Sequence, residues 1–388
     1  MHQTMKKQHG IDFALLLTVI CLFVISLLAV YSGSGQYETQ DMFYFVKRQI
    51  FWYIVGFGLM AAIASFDYEL LERLSFRLFT GGIFLIILVH FFGTNQNGSQ
   101  RWISLGPIKV QPSEFMKIFV ILLLAAILNR YKHQLFTFKE SIIPTFKILC
   151  WTVVPFFLIL IQPDLGTALV ILSIAFTLMI VSGISSKMIA AFIASFLALL
   201  AFLTYLHNEH FEHFTKIIKP HQLDRIYGWL SPDEFDSTYG YQLKQAMLGI
   251  GSGQLTGSGY TQGIQVQGGN IPEAHTDFIF AVIGEEFGFI GASLLMCLYF
   301  MMVYRIIHVA MHANTLYGLY ICAGVVGLIV FQVFQNVGMT VGLMPVTGLA
   351  LPFISYGGSA LLTNMIAIGL VFSVNLRSSS YMFGRNWD

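Results

Sequence analysis

Charge is what this chain of 388 residues has least of: Asp, Glu, Lys and Arg make up 11% of it, against about 25% in an average soluble domain. A water-soluble fold so poor in charge would leave apolar surface it cannot cover, so lipid must be the solvent for most of the chain. The formal net charge is +1 and no basic run occurs, so there is no patch for nucleic acid. Cysteine is scarce as well. Cys21, Cys150, Cys297 and Cys322 all lie inside apolar segments without metal-like spacing, which reads as small buried side chains and no metal centre. Neither a soluble domain nor a repeat breaks the pattern.

What remains is apolar: 56% of the residues are hydrophobic and the mean hydropathy is +0.71. A spanning helix needs about 20 mostly apolar residues. Ten segments qualify or nearly do: 11–31, 47–65, 77–93, 113–129, 146–162, 167–183, 188–206, 278–304, 316–337 and 359–375. The expected fold is an all-α integral membrane protein of about ten transmembrane helices. Residues 1–388 would form a single polytopic domain, with a large extracytoplasmic loop, 207–277, between spans seven and eight. Lys6 and Lys7 precede the first apolar stretch as in a signal peptide. That stretch is too long for a typical apolar core, however, and no clear cleavage site follows, so it reads as a retained span. Twelve Lys and Arg, among them Lys6, Lys7, Lys132 and Arg385, fall in short segments on the N-terminal side of the membrane, against four in the opposite short loops. That bias puts both termini in the cytoplasm.

This orientation gathers three distinctive stretches outside: 94–112, with the amphipathic Arg101-Trp102-Ile103; the loop 207–277; and 338–358, apolar yet broken by Gly and Pro. Ionisable residues at membrane depth usually face a cavity or a partner. Glu114 and Lys117 are three residues apart and share a helix face, as an ion pair or as the wall of a cavity. Asp164, in QPDLGT, is placed to cap the following helix. The densest cluster is Glu273-Ala274-His275-Thr276-Asp277. Thr276 or Asp277 as an ordinary N-cap is the default, yet Glu, His and Asp within five residues exceed what a cap needs. A partly shielded carboxylate there could act as a general base, with His275 orienting it or binding substrate. Arg101 with Trp102 fits an interface anchor; with Lys109 and Lys117 it would also make a cationic site for a pyrophosphate. Glu285 and Glu286 are as compatible with helix packing as with catalysis. The run Tyr239 to Leu248 reads as a surface helix. The glycines at 249, 251, 253, 257 and 259 read as a mobile loop and not as a P-loop, since no Gly-Lys-Ser/Thr follows.

The stretches NGSQRWISLGPIKVQPSEFMKI, QPDLGTALV, GGNIPEAHTDFIFAVIGEEFGFIG and FQNVGMTVGLMPVTGLALPFISYGGSALL, in this order, resemble the SEDS family (shape, elongation, division and sporulation proteins). The resemblance runs from the first span to the last, and QNVGMTVGLMPVTG is closer to the RodA elongation branch than to the FtsW division branch. It implies a ten-span peptidoglycan glycosyltransferase of the cytoplasmic membrane. Such an enzyme polymerises lipid II, a disaccharide-pentapeptide on an undecaprenyl pyrophosphate carrier, and works with a class B penicillin-binding protein. It also implies that Asp277, in HTDF, is the catalytic acidic residue. Arg101, Glu114, Lys117 and Asp164 match the family's other motif positions.

On that reading a GlcNAc 4-hydroxyl attacks the anomeric carbon of a MurNAc pyrophosphate with inversion. Asp277 takes the proton, and Arg101 and Lys117 stabilise the leaving group while Glu114 holds Lys117. A divalent cation (Mg or Mn) bridging pyrophosphate and a carboxylate is compatible with this chemistry, although the sequence shows no preformed metal cluster. A lipid II flippase is the main rival. It would place charged groups near the midplane with access from both sides, whereas here they gather at one face. A non-catalytic scaffold explains the helices and leaves the Glu273–Asp277 cluster without a purpose.

Overall fold

A computed structural model describes residues 10–35, 43–96, 99–106, 108–131, 136–217, 220–232, 234 and 238–378. Lys6, Lys7, Lys132 and Arg385 lie outside the described residues. Helices α1 (Phe13–Gly33), α2 (Tyr44–Ser65) and α3 (Tyr68–Phe92) lead into a small antiparallel sheet, β1 (Thr94–Gln96), β2 (Ser99–Leu105) and β3 (Ile108–Val110). Then come α4 (Pro112–Asn129), α5 (Phe138–Ile161), α6 (Leu165–Val181) and α7 (Ser186–Glu209). The large loop holds α8 (Phe211–Ile217), α9 (Pro220–Leu230), α10 (Thr238–Gly253) and α11 (Ile264–Gln267). The chain closes with α12 (Ile279–Met311), α13 (Leu316–Thr340) and α14 (Gly358–Arg377).

Among the described residues nine helices are long and apolar enough to cross a membrane, and α6 is a shorter apolar helix of 17 residues. All ten expected spans are thereby matched by helices. The chain is an all-helical multi-pass membrane protein apart from the sheet at 94–110, which the all-α reading lacks. The sheet forms because Ser99–Leu105 is an extended run that pairs on both edges, with Gly106 at φ 66° entering the next strand.

Helices α4, α13 and α14 are enclosed by the others, whereas α7 buries none of its residues. Of the four cysteines only Cys322 is buried; Cys150 and Cys297 lie on the exposed faces of α5 and α12. That corrects the expectation of four buried thiols. A helix that packs on one side only leaves its other apolar residues facing lipid, cysteine included.

Two departures from regular helix shape one end of the bundle. Helix α12 is broken at Gly288 (φ 62°, ψ −160°). The freed backbone groups there are taken up by the segment after α10: Phe289 N donates to Gln254 O (2.9 Å), Ile290 N to Leu255 O (3.1 Å), and Ser258 N to Glu285 O (2.9 Å). Close approach requires glycine. A Cβ at Gly257, where φ is 86°, would stand 2.1 Å from Glu286 O. The glycine-rich stretch is thus a packing seam and not a mobile loop. Glu285 and Glu286 complete the seam. Glu285 accepts from Gln265 N (2.7 Å) and Val266 N (3.0 Å), capping α11. Glu286 accepts from the Ser32 hydroxyl and from Gln267 Nε2 (3.2 Å). Helix α10 packs along α12 with Leu243 and Ala246 buried, while Tyr241 and Leu248 on its other side are exposed.

The second departure is the irregular segment 341–357 between α13 and α14, with residues 346, 347, 349 and 351–355 buried. Its carbonyls are met by side chains from four helices. Ser26 Oγ donates to Ile354 O (2.8 Å), Gln49 Nε2 to Ser355 O (3.3 Å), Tyr53 to Phe353 O, Tyr299 to Pro352 O (2.5 Å) and Asn336 Nδ2 to Leu349 O (2.7 Å). Non-helical backbone at membrane depth persists only when so satisfied.

The seam makes a paired prediction. Gly251 has no neighbour within 4 Å of an added Cβ, so Gly251→Ala should leave thermal unfolding in detergent unchanged or raise it by up to about 1 kcal/mol. Gly257→Ala combines backbone strain with a clash and should cost on the order of 2–3 kcal/mol. Equal midpoints for the two variants would refute the seam.

Candidate active site

Connectivity brings the end of α3, the sheet, the first turns of α4, α6 and α14, and the segments 273–278 and 346–350 to the same end of the bundle as α9 and α10. They enclose a cavity of about 440 Å³. Four carboxylates line it, Glu114, Asp164, Glu273 and Asp277, together with the guanidinium-bearing Arg101 and Arg225.

Three of the four carboxylates are spoken for. Asp164 caps α6 by accepting from Thr167 N (3.1 Å). It also accepts from Gln111 Nε2 (3.0 Å) and lies 3.7 Å from Arg101 Nη1. The cap and the cavity wall are therefore one residue. Glu114 is paired with Lys117 Nζ at 2.6 Å. Glu273, at φ 54° in the left-handed region, accepts from Thr276 Oγ1 (3.0 Å) while its carbonyl accepts from Thr276 N (3.1 Å).

Asp277 is different. Neither it nor Thr276 caps α12, whose N-cap is Phe278 with no side-chain bond. The N-cap default is thereby removed. Among the described residues the Asp277 carboxylate has no hydrogen-bond partner or ion pair; it is half-buried in the cavity wall. The segment carrying it is fixed by its backbone: Asn336 Nδ2 donates to Asp277 O (2.8 Å) and Ser355 Oγ to Thr276 O (2.7 Å). Gly348, φ 74°, keeps the facing wall clear, since a Cβ there would lie 3.3 Å from Asp277 Oδ2. Burial, and then the negative charge of Glu273, push the Asp277 carboxyl up to about 6, with Arg225 and Arg101 pulling the other way. A carboxylate so poised exchanges protons near neutral pH.

The other candidates from the sequence fall into two groups. Arg101 lines the cavity, but its guanidinium is committed: Nε donates to Gln162 O (2.7 Å) and Nη2 to Pro163 O. Lys117 is wholly buried behind Glu114 and is not part of the lining. His275 also points away, its ring centroid 4.5 Å from that of Phe45 and 5.6 Å from that of Tyr356. Burial holds its imidazole below the ordinary range against the pull of Glu273. Lys109 is exposed and outside the lining. Sequence reasoning missed Arg225, Asn336 and Gly348. Asn336 carried a usable signal, a polar side chain deep in an apolar span; Arg225 lay hidden in a loop with no motif.

Glu273→Gln removes a neighbouring negative charge, so the Asp277 carboxyl should titrate lower than in wild type. Infrared difference spectroscopy of detergent-solubilised protein, with Asp277→Asn to identify the band, checks this. An unchanged midpoint would show that Glu273 does not sense Asp277.

The family model for FtsW, RodA and SpoVE, described as a cell cycle protein, matches residues 12–380. The chain is similar to stage V sporulation protein E of Bacillus subtilis (strain 168), 35% identical over 97% of this chain and 99% of that protein. It is also similar to the peptidoglycan glycosyltransferase RodA of Treponema pallidum (strain Nichols), 32% identical over 94% and 98%. Among solved structures it resembles a chain of a peptidoglycan synthase complex that coordinates polymerization and crosslinking, with a TM-score of 0.78 and 27% identity over 95% and 98% of the two chains. The rod shape determining protein RodA of Thermus thermophilus matches with a TM-score of 0.68 and 25% identity over the same shares.

Proposed function

Since the chain belongs to the FtsW, RodA and SpoVE family and is a peptidoglycan glycosyltransferase, we propose that Asp277 is the general base of glycan polymerisation. The supporting observation is that Asp277 alone, of the four carboxylates lining the cavity, lacks a protein partner among the described residues. Its oxygens are left for substrate. The substrate would be lipid II, as donor and as acceptor. The acceptor GlcNAc 4-hydroxyl gives its proton to Asp277 as its oxygen bonds to the anomeric carbon of the donor MurNAc. The bond from that carbon to the diphosphate oxygen breaks, and undecaprenyl diphosphate leaves from the opposite face. Attack and departure on opposite faces invert the centre and need no covalent intermediate.

Around this step the remaining residues would set the field. Arg101 braces the floor with Asp164, and the Glu114–Lys117 pair supplies a buried dipole behind it. His275 would act by packing the loop that carries Asp277. A divalent cation (Mg or Mn) would be held by a carboxylate of the cavity wall, Glu273 or Asp277, and would supply charge neutralisation for the departing diphosphate. An orientation with both termini in the cytoplasm would put the cavity at the outer face, where a class B penicillin-binding protein would receive the strand for crosslinking. A synthase complex among the structural relatives supports that partner, and the RodA likeness supports a role in elongation. The flippase reading would need a passage joining the two ends; the pocket at the other end, lined by Asp12, Arg305, His308 and His312, shares no lining residue with this cavity.

Purified protein with lipid II and a divalent cation, alone and with a penicillin-binding partner whose crosslinking site is disabled, tests the assignment. Wild type should build glycan ladders, and Asp277→Ala should build none while keeping its elution profile and melting midpoint. Ladders from Asp277→Ala at the wild-type rate would discard the base.

A further inference from the structure

The donor leaves as a diphosphate, and the cavity that must hold it carries more negative than positive side chains. Of the three cations on or near its wall, two are already used. Arg101 spends its donors on the Gln162 and Pro163 carbonyls and faces Asp164. Lys117 is enclosed and neutralised at 2.6 Å by Glu114. Arg225 stands apart. It pairs with no carboxylate among the described residues. Its bonds are long: Nη1 to Val346 O (3.4 Å) and Thr347 O (3.2 Å), and Nη2 to Tyr239 Oη (3.3 Å). Its Nε–H is buried and finds no acceptor among the described residues. The guanidinium lies over the Tyr239 ring at 4.9 Å, and Trp229 Nε1 ties the same helix to Gly342 O (2.9 Å). A held, planar cation with an unspent donor and weak carbonyl contacts is suited to two-pronged binding of phosphate oxygens.

Building on the polymerase reading, we propose that Arg225, on α9 of the large loop, is the side chain that grips the diphosphate of the lipid-linked substrate. Arg101 and Lys117 then shape the potential without touching the phosphates. On binding, Arg225 exchanges its carbonyl contacts at 346–347 for phosphate oxygens. Those carbonyls adjoin Gly348, which faces Asp277, so the grip and the base meet across one short stretch of chain. The loop thus takes part in substrate binding.

Binding of undecaprenyl diphosphate, which the enzyme alone does not turn over, is measured by titration in nanodiscs with uncharged undecaprenol as the control lipid. Arg225→Ala should weaken diphosphate binding about ten- to hundredfold, the effect of losing charge-assisted hydrogen bonds. Undecaprenol binding and the melting midpoint should stay as in wild type. Arg225→Lys, which keeps the charge without the fork, should fall between. Wild-type diphosphate affinity in Arg225→Ala, or an equal loss for both lipids, would overturn the proposal. Should Asp277→Ala still polymerise, the base assignment fails while the Arg225 binding result keeps its meaning. Should Arg225→Ala bind normally while Asp277→Ala is dead, only the grip fails.

Discussion

Everything at the working end of this molecule depends on backbone carbonyls being satisfied where no water can do it. The segment 341–357 is neither helix nor strand, yet residues 346, 347, 349 and 351–355 are buried inside the bundle. Each unmet carbonyl there would cost several kcal/mol, on the order of the net stability of many domains. Ser26, Gln49, Tyr53, Tyr299 and Asn336, drawn from four helices, supply the donors. Polar residues in those otherwise apolar helices have this as their reason. The return is a stretch of chain rigid enough to form a cavity wall, with a glycine at 348 where Asp277 needs room.

A second principle follows for charge. Ionised groups removed from bulk water need partners, and this structure gives one to nearly every acidic side chain in the region. Glu285 and Glu286 hold the loop seam, Asp164 caps a helix and meets Arg101, and Glu114 meets Lys117. Leaving Asp277 without one raises its proton affinity, and its neighbour Glu273 raises it further. The same electrostatic frustration would leave Arg225 free to exchange weak carbonyl contacts for a phosphate. Unspent hydrogen-bonding capacity is where the substrate would enter.

Much of the architecture was legible in the sequence because span length is a direct consequence of bilayer thickness: all ten apolar segments became helices. Asp164 as a cap was legible too, since capping is local. What escaped is non-local. The spacing of Glu114 and Lys117 places them on one helix face but does not tell which of them reaches the cavity. His275 sits two residues from Asp277 and turns the other way, because the chain there is irregular and side-chain direction follows no simple period. Arg225 meets residues more than a hundred positions away, and no local pattern encodes that. The glycines at 253 and 257 looked like flexibility when their cause is the backbone of α12 lying against them.

The most direct test of the account is the pH dependence of kcat/KM for lipid II polymerisation, which reports ionisation in the free enzyme. A base works deprotonated, so activity should rise as pH increases through about 6, the value to which burial and Glu273 push Asp277. A rise already complete at the ordinary aspartate value of about 4, or activity that falls as pH climbs through this range, would contradict Asp277 as the base of this site.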